Sequence, residues 1–597
     1  MAHLWSLLAF IASAATVISP AAADSQGSLL WDPPYENEAN VYARAVELQH
    51  AGSSNGKLLA TWEHWYANTT ENAAYPNGTE GSFIIRESED GGETWNTLTT
   101  IFDTQTGPGH PCARFWQPFF FEFPHQLGDY PEGTLLLVGN LVPTNKSFTE
   151  FFTWRSSDHG RTWDPVGAWQ EGGTTRAGIW EPFLYLDGDG ALMAAFSDER
   201  NATTHSQMLV QVVSRDGGDT WGDVIPTVAS DIQTDRPGMP TVTLMDNGEY
   251  LMAYEVCGRD PLNCPVYVKT SPDGKTWVEN DLGTAVVSED GRYLGSSPYA
   301  LWDPSTKQLL LAGHNTWDIT ANTRTAEAQR SVYINKNYGV GNWSWAPSPW
   351  AVSYASSACN SNYSPHMLLR SNGIIRYTSP TSQGSSGYCA VRTGQAPIGG
   401  LPYAADFAAS GQLGWINTGA TGKVTWSVSG DQYNFGTVGD SISALAITGS
   451  TGWTDYKISA DAQIVGSNGT AGLLARVSRP KPGLDQFYGY TLAIESSTGN
   501  VTLYMNTDNA VALVSIAFSG GIEPGAWYSM SLAVQGSQLT AALSSEDSSS
   551  NVTFTVSNDN HPWGMAGLIG KVGGGGFRNA FIEKITMHST TTLDRQI

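Results

Sequence analysis

Between about residues 30 and 400 the chain repeats one pattern of apolar and polar positions. A short apolar run opens, a glycine-containing turn follows, and a second apolar run ends on a polar residue. The copies are Tyr42-Ala43-Arg44-Ala45 to Trp62-Glu63, Trp116-Gln117-Pro118 to Gly139-Asn140, Trp180-Glu181-Pro182 to Ser197-Asp198, Met239-Pro240 to Tyr254-Glu255, Ser297-Pro298-Tyr299 to Gly313-His314, and Ser364-Pro365-His366 to Arg376-Tyr377. Runs this short, bounded by Gly, Asp or Asn, predict hairpins of two buried strands. Six copies predict six blades. In an antiparallel hairpin the start of the first strand and the end of the second lie at one end of the sheet. Arg44, Glu63, Gln117, Asn140, Glu181, Asp198, Glu255, Ser297, His314 and Tyr363 are therefore expected on one face, around a central axis.

A second repeat runs out of phase with the first. Ser-x-Asp-x-Gly-x-Thr-Trp occurs at Ser88–Trp95, Ser156–Trp163 and Ser214–Trp221, with a copy one residue shorter at Ser271–Trp277. The Asp residues (90, 158, 216 and 273) stand 57 to 68 positions apart, the scale of one four-stranded sheet with its loops. Asp caps its own backbone, Gly supplies a positive φ, and Trp buries a large apolar area between sheets, so these turns read as structural. The two repeats together predict a β-propeller over residues 24–395.

Past about residue 400 neither repeat recurs. Residues 396–410, with Pro397, Gly399, Gly400 and Pro402, read as a linker. Over residues 411–597, alternating runs such as Tyr456–Ala460, Tyr490–Ile494 and Trp527–Leu532 are separated by Gly, Asn and Ser turns and predict a β-sandwich. The series Gly472–Arg476, Tyr488–Tyr490 and Trp527–Tyr528 resembles laminin-G or concanavalin-like jelly rolls, some of which bind glycans. The fold class expected for the whole chain is all-β.

Composition narrows the function. Residues 1–23, apolar from Leu4 to Ile18 and followed by Ala21-Ala22-Ala23-Asp24, read as a removed signal peptide, although His3 is the only basic group before the apolar stretch. Asn-x-Ser/Thr sites at Asn68, Asn77, Asn145, Asn201, Asn342, Asn362, Asn468, Asn500 and Asn551 fit a secretory route, and no later apolar run is long enough to span a bilayer. Secretion is the expectation. The five cysteines are too few for a disulfide scaffold; Cys257 with Cys264 and Cys359 with Cys389 are the expected bridges, leaving Cys112 over. A net charge of −25 argues against nucleic acid or an anionic membrane as partner. With 22 Trp and 24 Tyr there are aromatics for blade packing and for sugar platforms.

Glycosidases generally need two carboxyl groups, one to protonate the leaving oxygen and one to attack the anomeric carbon or activate water. Glu181 opens one inner hairpin and Glu255 ends the next, so both are expected at a shared axial pocket. Trp180 and Pro182 flank the first and Tyr254 the second, which would hold the pair rigid and raise one pKa. Trp116-Gln117-Pro118-Phe119, Trp180-Glu181-Pro182-Phe183-Leu184 and Met252-Ala253-Tyr254-Glu255 resemble the strand motifs of glycoside hydrolase family 93, the fungal exo-α-1,5-L-arabinanases. The resemblance spans about residues 30 to 395. It implies a six-bladed, sialidase-like propeller, retention of configuration and release of arabinobiose from the non-reducing end of arabinan. It makes Glu181 and Glu255 the catalytic pair, with Glu255 as nucleophile, Glu181 as acid/base and Tyr363 beside the nucleophile. Arg44, Glu63, Trp116, Gln117, Asn140, Trp180, Asp198, Tyr254 and His314 are the expected substrate-binding residues. The chain's tail departs from the one-domain pattern of that family and puts substrate range in question.

No cofactor or metal is expected, and a monomer is the ordinary state for such an enzyme. Two alternatives use the same residues differently. A sialidase would gather three arginines from Arg44, Arg236, Arg292 and Arg370 and attack through Tyr363, although Tyr42-Ala43-Arg44-Ala45 stands where that family has Arg-Ile-Pro. A non-catalytic lectin would recognise glycans with both domains.

Overall fold

A computed structural model describes residues 27–33, 39–65, 81–102, 112–143, 146–174, 176–259, 261–353, 359–383, 388–418 and 422–585. The signal-peptide reading and the sequons at Asn68, Asn77 and Asn145 lie outside the described residues, as does the side chain of Cys112.

Each apolar hairpin forms the inner half of a four-stranded antiparallel sheet. Blade I comprises Ala39–Glu47, Leu58–Trp65, Ser82–Ser88 and Asn96–Phe102; blade II Cys112–Glu122, Leu135–Pro143, Thr149–Ser156 and Asp164–Gly172; blade III Ile179–Leu186, Leu192–Asp198, Met208–Ser214 and Ile225–Val228. Blade IV comprises Arg236–Leu244, Tyr250–Cys257, Val266–Ser271 and Thr284–Ala285; blade V Tyr299–Asp303, Gln308–Ala312, Ser331–Asn335 and Ser344–Pro347. Blade VI is built from both ends of the propeller: His366–Leu369, Ile375–Gln383 and Tyr388–Gln395, with Ser28–Trp31 paired on the last of these. The innermost strands touch in the order I to VI, and that of VI packs back on that of I, which closes the ring. Central positions in Leu135–Pro143, Leu192–Asp198 and Gln308–Ala312 are buried on both faces, as their unbroken apolar runs predict.

The Ser-x-Asp turns are built as read. In the first, Asp90 Oδ1 accepts from Ser88 Oγ (2.8 Å) and from the backbone N–H of Thr94 (2.9 Å), while Trp95 Nε1 donates to Gly92 O (3.1 Å). The bonds to the aspartate recur around Asp158, Asp216 and Asp273, and the indole bond recurs at Trp163 and Trp277. Cys257 is bonded to Cys264 and Cys359 to Cys389. One predicted sequon is corrected: Asn362 is fully buried, with Nδ2 donating to Gly313 O (2.7 Å) and Oδ1 accepting from Tyr377 Oη (2.6 Å), so no glycan can be attached there. A three-stranded sheet, Arg292–Gly295, Asn315–Asp318 and Thr323–Arg324, is inserted around blade V and was not foreseen.

The C-terminal region is a two-sheet β-sandwich, one sheet of eight strands and one of seven, over a core that includes Tyr433, Phe435, Ile458, Leu492, Leu532 and Phe577. The sheets differ in a way the sequence encodes. Strands of the larger, such as Val424–Ser429 and Tyr456–Val465, alternate in burial, so one face meets solvent. Ser443–Thr448 and Met565–Lys571 of the smaller are buried nearly throughout. Ala444, Ala446, Leu473 and Leu568 enter the sandwich core, while their neighbours Leu445, Ile447, Leu474 and Ile569 join Leu251, Leu309, Tyr333, Trp343 and Trp345 of blades IV and V in one apolar cluster. The seam is also hydrogen-bonded: Trp345 N donates to Thr451 Oγ1 (2.9 Å), Thr451 N to Trp345 O (2.9 Å), and Arg479 Nε to Asp290 O (3.0 Å).

Residues 396–410 are accordingly not a free spacer. Ala396 and Ile398 lie in the propeller core, Tyr403–Ala404 adds to the strand Gly573–Lys584, and Phe407 is buried in the sandwich core. Of the Gly and Pro residues that suggested flexibility, Gly399 has φ +62°, and its carbonyl accepts from Trp453 Nε1 at 3.0 Å.

Candidate active site

One backbone device places six residues around the axis. Tyr42, Gln117, Glu181, Met239, Ser297 and Ser364 occupy equivalent positions at the opening of the six inner hairpins, and all are left-handed, with φ of 55°, 53°, 59°, 56°, 45° and 53°. In blades I to IV the ladder shifts register at this point, a β-bulge. A bulge bends its strand and re-aims a side chain, and a non-glycine residue held left-handed costs roughly 1–2 kcal/mol that the surrounding sheet must supply.

Glu181 and Glu255 come from adjacent blades. Each is half-buried, and each acts electrostatically on the Tyr363 hydroxyl. Glu181 Oε1 accepts from Gln117 Nε2 (3.2 Å) and its backbone N–H donates to Gln117 Oε1 (2.9 Å). Glu181 Oε2 is sealed from solvent without a hydrogen-bond partner, on the side of the Ser197 hydroxyl and the Met239 N–H. Burial, with the negative charge of Glu255, pushes the Glu181 carboxyl up to about 8. Burial also raises Glu255, but the Ser297 N–H, 2.8 Å from Oε2, the Ser296 hydroxyl and the nearby Arg236 charge oppose it. Both carboxyls are thus raised, and they differ in what opposes the rise: the Ser197 hydroxyl and the Met239 N–H at Glu181, and the Ser297 N–H, the Ser296 hydroxyl and the Arg236 charge at Glu255.

Tyr363 is half-buried, its hydroxyl 3.8 Å from Met239 Sδ and its ring edge-on to His314 at 5.7 Å. Burial, then Glu181, Glu255 and Glu63, hold the Tyr363 hydroxyl protonated far above its ordinary value. His314 is pushed down to about 4 by burial and by Arg324, so its imidazole is neutral. Glu63 is buried and accepts from the Gln117 N–H (3.1 Å). The Trp116 and Trp180 rings lie 6.3 Å apart at 33°.

Three expected contact residues are turned to other work. Asn140 is fully buried; its amide donates to Gln117 Oε1 (3.1 Å) and Ile179 O (2.8 Å), so it acts on the site through Gln117. Asp198 is buried in a two-point ion pair with Arg200, with bonds of 2.9 and 2.7 Å. Tyr254, alternate to Glu255 along its strand, is fully buried on the opposite face, where it donates to Leu282 O. Arg44 is buried on the axis, its guanidinium 4.1 Å from the Tyr42 ring centre, with Nη2 donating to Ser364 Oγ (2.8 Å).

Sequence reasoning missed Tyr42 and Glu199, and it named Arg236 only for the sialidase alternative. Aligning the six repeats would have placed Tyr42 at the position of Glu181. Nothing local marks Glu199, which follows Asp198 and accepts from Trp180 Nε1 (3.0 Å) and from Arg236. The arginines of the sialidase alternative do not converge: Arg292 is paired with Glu327 (2.6 Å) and Asp318 (3.1 Å), Arg370 with Glu47 (3.6 Å), and Arg44 lies under Tyr42. Among the described residues no group of three or more His, Cys, Asp or Glu is placed to hold a metal ion.

Comparisons with known proteins agree with the fold. Residues 63–282 match the family described as a BNR repeat-like domain. An α-L-arabinanase from Penicillium chrysogenum, solved with arabinobiose, is 29% identical, with 62% of this chain and 98% of that one covered and a TM-score of 0.50. An α-L-arabinofuranosidase from Fusarium graminearum, solved with an iminosugar inhibitor, is 27% identical over 62% and 97% of the two chains, with a TM-score of 0.52. A Fusarium graminearum enzyme described as a glycoside hydrolase family 93 α-L-arabinofuranosidase, solved with arabinobiose, is 26% identical over 62% and 97%, with a TM-score of 0.51. No curated protein matches the chain.

Proposed function

We propose that this chain, which carries a BNR repeat-like domain on the propeller shared with family 93 arabinan hydrolases, is a secreted, retaining exo-glycosidase that cleaves α-1,5-L-arabinan and releases arabinobiose. The observation that supports the reading is the pair Glu181 and Glu255, carried by adjacent blades near enough for the charge of Glu255 to raise Glu181 and for both to act on the Tyr363 hydroxyl. Family 93 enzymes solved with arabinobiose support the substrate class. The leader-like start of the chain and the two disulfides support secretion.

In this mechanism Glu181 enters protonated and gives its proton to the leaving glycosidic oxygen, while Glu255 attacks the anomeric carbon. Glu181 then takes a proton from the water that hydrolyses the arabinobiosyl–Glu255 ester and releases arabinobiose. Ser297 N–H and Arg236 favour the charged form of Glu255 before attack and after release. Tyr363, too basic to ionise here, serves as a hydroxyl donor beside the pair and not as the attacking group. The test is product analysis on linear α-1,5-arabinan, with NMR reading the anomer first formed. Arabinobiose as the sole early product, in the α configuration, supports the proposal; the inverted anomer overturns the nucleophile, and no product overturns the substrate.

A further inference from the structure

Glu199 belongs to none of the roles above, yet it joins two residues that flank the catalytic pair. It is buried at 2% exposure. One carboxylate oxygen accepts from Trp180 Nε1 (3.0 Å) and from Gly178 N–H (3.4 Å); the other accepts from Arg236 Nη2. Arg236 also donates to Gln207 Oε1 and to Ser206 O (3.3 Å), and its side chain keeps 39% exposure. Trp180 belongs to the indole pair with Trp116, and Arg236 acts electrostatically on Glu255. A buried carboxylate that accepts from both an indole and a guanidinium ties an apolar platform to a cation.

We propose that Glu199 is the positioning residue of a sugar subsite beside the scissile bond, fixing the Trp180 ring as a platform for one furanose and Arg236 as a donor to that sugar's oxygens. The inference rests on the arabinan reading. Neutral sugars are held by an aromatic face for their C–H groups and by rigid donors for their hydroxyls, and rigidity cuts the ordering cost of binding. Trp180 is held at its indole nitrogen, and Arg236 is held on one edge while the rest stays exposed. The amide of Gln in place of Glu199 cannot satisfy both partners, because its NH2 would face another donor.

The experiment uses the full chain and arabinobiose as probe, by calorimetry, in wild type, Glu199→Gln, Trp180→Phe and the double variant, with melting temperatures to verify folding. Trp180→Phe keeps a ring but loses the N–H. Each single variant is expected to weaken arabinobiose binding by about tenfold, with the double no weaker than the worse single, since both break one linkage. The acid limb of kcat/KM is expected to move to lower pH in Glu199→Gln only, because removing that negative charge leaves Arg236 to act on Glu255 alone. Unchanged binding in either single, or losses that multiply in the double, overturn the inference while leaving the arabinan reading standing. Failure of wild type to bind arabinobiose overturns both.

Discussion

The side chain of Gln117 grips Glu181 at two points, donating from Nε2 to the carboxylate at 3.2 Å and accepting the Glu181 backbone N–H on Oε1 at 2.9 Å. The grip crosses from blade II to blade III and is itself steadied by Asn140. It fixes both the left-handed backbone of Glu181 and the aim of its carboxyl. Gln117→Leu keeps the volume and loses the grip; kcat is expected to fall roughly 10²-fold with the melting temperature little changed, since small displacements of a reacting group carry penalties of that order. Steady-state kinetics beside a thermal melt checks this.

Glu181→Gln and Glu255→Gln are each expected to lower kcat on arabinan by roughly 10²–10⁴-fold. Their rescue separates the roles. An aryl arabinoside with a good leaving group restores the bond-breaking step in the acid/base variant, and added azide then traps the sugar. No such rescue is expected for the nucleophile variant. Rescue of Glu255→Gln with none for Glu181→Gln would reverse the assignment.

The pH profile of kcat/KM is expected to be bell-shaped, with a basic limb near 8 set by Glu181 losing its proton. The sign carries over to stability. A carboxyl whose folded pKa is raised favours the folded state at low pH; that advantage is lost as pH climbs past the unfolded value, and the full cost is reached above the folded one. Glu181→Gln is therefore expected to melt higher than wild type at pH 9, by about 1 °C per kcal/mol recovered in a cooperative unit of this size, and to differ less at pH 4.

The turn aspartates run the other way. Hydroxyl and backbone donors outweigh burial and hold Asp90 and Asp273 down to about 2. Their stabilisation is present above the ordinary aspartate range and is lost as pH falls toward 2. Asp273→Ala is expected to lower the melting temperature at pH 6 and to make little difference at pH 2, as read by circular dichroism.

The seam between propeller and sandwich predicts one cooperative unit. Ile569 is fully buried on the propeller side of the seven-stranded sheet. Ile569→Asp buries a charge without a partner and is expected to cost several kcal/mol, which would show as a large drop in the single melting transition of the full chain. Two separate transitions in wild type would contradict the shared core.

Much of this was legible beforehand. The period of the apolar hairpins set the blade count, and turn chemistry marked the outer loops, because both are local: burial on two faces demands unbroken apolar runs, and a tight turn demands Asp and Gly. The same logic put Glu181 and Glu255 at one end of the sheets. The reading failed where the aim of a side chain, or the core that receives it, is set by the fold and not by local pattern. Asp198 sits at the same strand end as Asn140 in its own repeat, and only the placement of Arg200 turns it away; the linker composition of residues 396–410 said nothing of the two cores that receive Ile398 and Phe407.

By itself, then, the sequence determined the all-β class, the six hairpins, their shared axial face and the Cys257–Cys264 bridge, since each follows from strand period, turn chemistry or short spacing. Tertiary structure alone decided which polar strand ends gather at the axis, how burial, Ser197 and Arg236 act on the proton affinities of Glu181 and Glu255, and that the sandwich is docked instead of tethered. Those outcomes depend on contacts across tens to hundreds of residues, where charge, burial and hydrogen-bond partners are set by neighbours that no local pattern names.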